Sequence, residues 1–116
     1  MQAILISIDY KEITDIDPDY SYLEQDCYKD RLEQFENGDF YFISISAEAT
    51  IHIPFEMVNY KGEKETGYKI ETISSGGLWG IESDSSSEYL ESIYEEEKES
   101  LIGYLKTLNV DLSNCE

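Results

Sequence analysis

Basic residues are scarce in this chain: eight Lys and Arg stand against 26 Asp and Glu in 116 residues, a formal net charge of −18. The eight are Lys11, Lys29, Arg31, Lys61, Lys64, Lys69, Lys98 and Lys106, and they are scattered. Binding to nucleic acid needs Lys and Arg gathered where they can neutralise phosphates. Nucleic acid is therefore excluded as a direct ligand, and an anionic membrane surface is excluded on the same ground. Histidine occurs once, as His52 between Ile51 and Ile53. No nucleophile elbow, phosphate loop or Cys–His spacing accompanies it, and no pair among the many carboxylates stands apart by its surroundings. The chain thus reads as non-enzymatic, with no cofactor and no metal called for.

Cysteine is nearly absent as well. Cys27 and Cys115 lie far apart without a CxxC motif. A disulfide between them is one reading, and buried or idle thiols in a cytosolic protein is the preferred one. No apolar run approaches the roughly 18 residues of a membrane span. Met1–Asp9 is apolar but lacks a basic leading segment and a small-residue cleavage site, so it is not read as a signal peptide, and the setting is taken as cytoplasmic.

What the chain does have is apolar and aromatic content, 41% hydrophobic and 13% aromatic with ten Tyr, which separates it from acidic disordered chains. At this length it reads as a single acidic α+β domain, 1–116, with one hydrophobic core. Tyrosine suits a thin, partly wet core, because its ring buries while its hydroxyl reaches water.

The acids are unevenly placed. Residues 1–40 hold 11 acids and three bases, residues 82–99 hold eight acids and one base, and the stretch 41–81 between them holds five and three. That middle stretch is strand-like. In Phe40–Pro54 the odd positions Tyr41, Ile43, Ile45, Ala47, Ala49, Ile51 and Ile53 are apolar, and Ser44, Ser46, Glu48, Thr50 and His52 alternate with them. Period two over this length predicts one buried and one wet face in an antiparallel sheet. Pro54 is expected to end the ladder, with Met57–Tyr60 a short further strand. Lys61–Gly67 is read as a hairpin connection, Tyr68–Ser74 as the return strand, and Leu78–Ile81 as the last strand after a bulge or turn at Gly76-Gly77. Ala3–Ile8 gives the first strand, for four or five in all.

Two helices complete the reading. Ser21 and Glu24 fit a capping box before Tyr20, Leu23, Cys27, Tyr28, Leu32 and Phe35, and Asn37-Gly38 ends that pattern. Ser85 and Glu88 fit a second box before the seam of Leu90, Ile93, Tyr94, Glu97, Leu101, Tyr104, Leu105 and Leu108, with Glu97 its one polar interruption and Asn109 as its stop. This long acidic C-terminal helix is expected to lie on the odd face of Phe40–Pro54.

The candidate site is acidic. Glu88, Glu91, Glu95 and Glu99 recur every three or four residues, so a helix places them on one side with Glu96 beside them. Neighbours at that spacing have Cβ atoms roughly 5–6 Å apart, comparable to successive phosphates along a nucleic-acid strand. Glu24, Asp30 and Glu33 form a secondary set on or beside the first helix, together with Asp26 and Glu36. A row of carboxylates can offer a basic groove what a phosphate backbone offers, although the same row can also be no more than a solvated helix face. A weaker pattern is Asp15-Ile16-Asp17-Pro18-Asp19 with Asp26, spaced as in a calcium loop. Tyr20 takes the glycine position there, Pro18 stiffens the backbone, and Asp26 is shorter than the usual bidentate Glu. Trp79, among the glycines of Ser75–Asp84, reads as a core tryptophan in preference to a partner contact.

Ser75–Asp84 followed by Tyr89-Leu90 and the acidic helix ending in Leu105–Leu108, with Gly38–Ile43 and Ala47-Glu48-Ala49, resembles a group of small uncharacterised phage, prophage and mobile-element proteins. The resemblance covers about the last two-thirds of the chain and implies a mobile-element origin in a bacterial host, but it carries no functional residues. Origin and charge together lead to the expected function: a nucleic-acid mimic that inhibits a host defence enzyme of anti-restriction or anti-CRISPR type by meeting its basic surface. The alternatives are a phage accessory or structural module whose charge serves solubility, and a calcium-stabilised domain.

Overall fold

The structure, a computed structural model, describes residues 2–113; Cys115 lies outside them. It is α+β. Four strands, β1 (Ile4–Thr14), β2 (Phe42–Val58), β3 (Lys64–Ser74) and β4 (Leu78–Glu82), form one antiparallel sheet with helices α1 (Lys29–Glu36) and α2 (Ser87–Thr107). Every strand pairs with β2. On one side β1 runs along it from Ile4↔His52 to Thr14↔Ile43. On the other side β3 pairs with residues 48–58 and β4 with residues 42–45, so β3 and β4 form one return strand interrupted at Ser75–Gly77. The interruption lets the backbone pass close over β2. A Cβ on Gly77, where φ is +87°, would lie 2.8 Å from Ser44 Oγ and 3.2 Å from the Ile45 carbonyl oxygen.

The odd face of β2 carries the core, as its periodicity predicts, but the even face is not wet along its first half, where Ser44 and Ser46 are buried too, and Tyr41 just before the strand is exposed. Ile43 and Ile45 pack with Ile81 and Ile93, and Ala47, Ala49 and Ile51 pack with Leu5, Leu101, Leu105, Val110 and Leu112. The two alanines let α2 sit close to the sheet. At the start of β2 the even face is covered too, where Phe42 and Phe40 pack with Leu23, Leu32 and Phe35 under α1. Successive strand residues point to opposite faces, so α1 and α2 lie on opposite sides of the sheet.

Several expectations need correction. Pro54 does not end the ladder, because β1 stops at His52 and leaves β2 an edge strand there, where a proline's missing N–H is tolerated. The hairpin turn is accordingly shorter than predicted, with β3 starting at Lys64, and β1 runs on to Thr14. The first helix begins at Lys29. The segment before it forms two 3₁₀ turns, Ser21–Glu24 and Asp26–Tyr28, parted by Gln25 in extended conformation, and this seats Leu23 in the core. No capping box forms at Ser21, whose N–H donates to Asp19 Oδ1 (3.1 Å). The cap of α2 falls one residue later than predicted: Ser86 Oγ accepts from the Tyr89 N–H, and Ser85 Oγ donates to the Glu82 carbonyl. Trp79 is not in the core but 53% exposed, its Nε1 donating to the Gly76 carbonyl. Cys27 is exposed rather than buried. Most tyrosines also lie at the surface, Tyr22 and Tyr94 being half-buried. The left-handed stops at Gly38 (φ +80°) and Asn109 (φ +58°) are as predicted.

The molecule is long. Its radius of gyration is 20.3 Å, where a compact chain of this length has about 13 Å, and its longest dimension is 71 Å. The cause is the hairpin end, where residues 53–58 and 64–69 continue past β1 as a two-stranded arm.

Candidate functional site: an acidic helix face

Helix α2 is positioned by Ile93, Leu101 and Leu105, its buried residues. At about 100° per residue these define one stripe, and Glu88, Glu91, Glu95 and Glu99 fall on the opposite side, with Glu96 adjoining. All five are exposed. The row from Glu88 to Glu99 covers about 16 Å of helix. Its first member lies in the first turn, where the helix dipole favours a negative charge. The nearby Glu97 behaves differently. Half-buried, it accepts a hydrogen bond from Ser75 Oγ at 2.8 Å and so ties α2 to the interruption between β3 and β4.

Glu24, Asp30 and Glu33 are exposed too, but they belong to the layer on the other side of the sheet. The structure therefore brings together the five glutamates of α2 and does not join the secondary set to them in one face. Among the described residues, ion pairs occupy Lys11 with Glu48, Arg31 with Glu82 and Asp84, and Lys69 with Glu71. None of the eight candidate carboxylates takes part in these.

Arg31 is the residue that sequence reasoning overlooked. Its guanidinium lies 3.9 Å from the Phe40 ring centroid and donates to both oxygens of Asp84, at 2.8 and 3.0 Å, with Glu82 at 3.3 Å. The hydrogen bond to Asp84 raises the guanidinium's pKa and holds the Asp84 carboxyl below its ordinary value. Tyr22 joins the same network. Burial, followed by the neighbouring Glu82, pushes its hydroxyl up to about 12. This network ties the first helix to the loop that opens α2. A lone arginine among acids gave no pattern from which to predict it.

Beside it, Tyr22, Leu78, Trp79 and Tyr89 line a shallow cavity of about 250 Å³, with Leu78, Trp79 and Tyr89 exposed. The Asp-rich segment is arranged as local turns, with Asp15 Oδ1 accepting from the Asp17 N–H and Asp19 Oδ1 from the Ser21 N–H. Among the described residues no three His, Cys, Asp or Glu side chains converge as a metal site. His52 is stacked on Tyr68, ring centroids 4.5 Å apart. No helix among the described residues is long and apolar enough to cross a membrane. Comparison with protein-family models, with curated proteins and with solved structures finds no match for the chain.

Proposed function

We propose that the chain is a non-enzymatic acidic interaction protein, a nucleic-acid mimic of phage or mobile-element origin acting in the cytoplasm of a bacterial host. Its partner is the basic groove of a host nucleic-acid-processing defence enzyme, of restriction or CRISPR type. The observation that carries this reading is the row Glu88, Glu91, Glu95, Glu96 and Glu99, exposed on the solvent side of a helix whose buried stripe faces the sheet. These carboxylates outnumber the one cation on this stretch of the helix, Lys98 beside Glu95 and Glu99, and keep a net negative field for a basic partner, which steers encounter and selects by sign. Glu24, Asp30 and Glu33 extend the acidic field around the other side of the sheet as a secondary contact.

A pull-down from bacterial lysate, eluted by a salt gradient, tests this. The expected partner is a nucleic-acid-binding protein released at moderate salt and not retained by the Glu91→Lys, Glu95→Lys, Glu99→Lys variant. Retention that ignores both salt and charge reversal overturns it. The exposure of Trp79 beside Leu78 and Tyr89 favours a second reading, an accessory module that binds through this aromatic patch and is acidic only for solubility. In that case Trp79→Ala abolishes capture by folded protein and the triple charge reversal does not.

A further inference from the structure

The arm is neutral in this acidic chain. With its turn, residues 53–69, it carries Glu56, Glu63 and Glu65 against Lys61, Lys64 and Lys69, so the whole net charge of −18 lies on the rest of the chain. The arm is also apolar on its surface: Phe55, Met57, Val58, Tyr60 and Tyr68 are exposed, Tyr60 by 93%. A two-stranded ribbon is marginal by itself in water, and here its apolar side chains meet solvent on both faces. On the face shared with α2, the buried column Ile43, Ile45, Ala47, Ala49, Ile51 continues through Ile53 into Phe55 and Met57. Phe55 lies over Gly67, where a Cβ would come within 2.5 Å of its ring. The core stripe thus runs on past the helix that covers it.

The register shows what fits there. Three rungs make up this face: Ile53↔Lys69, Phe55↔Gly67 and Met57↔Glu65. We propose that it binds the same face of a second copy of the chain, with the two arms antiparallel about a two-fold axis running across the ribbon through the Phe55–Gly67 rung. That operation sets Phe55 on Phe55, Ile53 on Met57 and Lys69 on Glu65 of the other copy, each contact of unlike residues occurring twice, as a closed two-fold interface requires. Lys69 keeps its local partner Glu71 (3.1 Å), and Glu65 keeps Asn59 (2.7 Å). An ammonium with three hydrogens and a carboxylate with two oxygens each have capacity left for the partner.

Charge sets the arrangement of the two copies. Two bodies of −18 repel wherever they approach, and the antiparallel arrangement is the one that holds them apart. The arm reaches about 20 Å past the body, beyond the roughly 8 Å screening length of physiological salt. The glutamate row of α2 takes no part, so failure here leaves the proposed mimicry untouched, and failure of that reading leaves the dimer.

Sedimentation across a concentration series is the test. Wild type is expected to pass from monomer to dimer. Lys69→Glu and Glu65→Lys each place like charges on both contacts and should raise the dimer Kd about tenfold or more. An equimolar mixture of these two variants restores opposite charges at both contacts and should form the heterodimer. Both positions are exposed, so folding, checked by circular dichroism, should survive either change. Met57→Glu, which puts a carboxylate into the apolar seam, should also give monomer. Wild type that stays monomeric throughout, or a dimer indifferent to these substitutions, overturns the proposal.

Discussion

Replacing Glu91, Glu95 and Glu99 together with Gln should make the protein more stable while removing the row on which the proposed mimicry rests. The substitution eliminates four like-charged neighbours on α2: Glu88–Glu91, Glu91–Glu95, Glu95–Glu99 and Glu96–Glu99. Each such pair disfavours a helix by about 0.2–0.5 kcal/mol at low salt, which gives roughly 1–2 kcal/mol in all. Against this stands one favourable neighbour given up, Lys98 three residues after Glu95, which takes back about 0.2–0.5 kcal/mol and leaves a net gain of about 0.5–1.5 kcal/mol. All of these glutamates are exposed, so no buried contact is lost, and none takes part in the ion pairs of the described residues. Glutamine has nearly the same helix propensity as glutamate. For a domain of this size the gain corresponds to a rise in Tm on the order of 2–6 °C. The assay is thermal and urea unfolding of both proteins at low and high sodium chloride. The difference should be largest at low salt and shrink as the Debye length falls to about 3 Å at molar salt. A triple variant less stable than wild type at low salt would refute the reasoning, because the glutamates would then be making favourable local contacts.

Other perturbations probe the frame that holds this face. Leu101→Ala removes a side chain only 1% exposed, packed against Ala47, Ala49 and Ile51, and urea unfolding should record a loss of about 2–5 kcal/mol. The bond from Arg31 lowers the Asp84 pKa, so its contribution is present at neutral pH and fades as pH falls through the ordinary carboxylate value of about 4 and below. Asp84→Asn should therefore be the less stable protein at pH 7, with the gap to wild type closing in acid, as read from urea midpoints across that range. Trp79 is the single tryptophan, and its exposure predicts that acrylamide quenches the native fluorescence nearly as well as the unfolded one. Strong native-state protection would contradict its place at the surface.

The legible parts of this fold were those fixed by local repetition. Ile43 to Ile53 alternates because only the odd face meets the apolar core, and the seam of α2 repeats because Ile93, Leu101 and Leu105 meet that face. The exposure of the five glutamates follows from the same helix geometry. Relations between elements were harder to read. Phe42 next to Ile43 breaks the alternation, and such an apolar pair marks burial on both faces. The two acidic helices consequently lie on opposite layers, a placement that no count of charges supplies. The arm was missed because its residues imitate punctuation. Pro54 resembles a strand end until the neighbouring strand is seen to stop at His52, and Gly67 resembles a turn residue when its role is to lie beneath Phe55. Trp79 was misplaced because glycines around a tryptophan fit close packing as well as they fit an irregular edge strand.

Because β1, β3 and β4 all pair with β2 and with no other strand, the alignment of the whole sheet depends on one segment. A slip of β2 by a single residue would turn Ile43, Ile45, Ala47, Ala49 and Ile51 toward α1's side and Phe42, Ser44 and Ser46 toward α2. Both helices would lose their seats in the same step, and no strand pair would be left in register to preserve either layer. Misalignment in this protein is therefore an all-or-none event, and the variant that reveals it will lose both helices' packing together rather than one at a time.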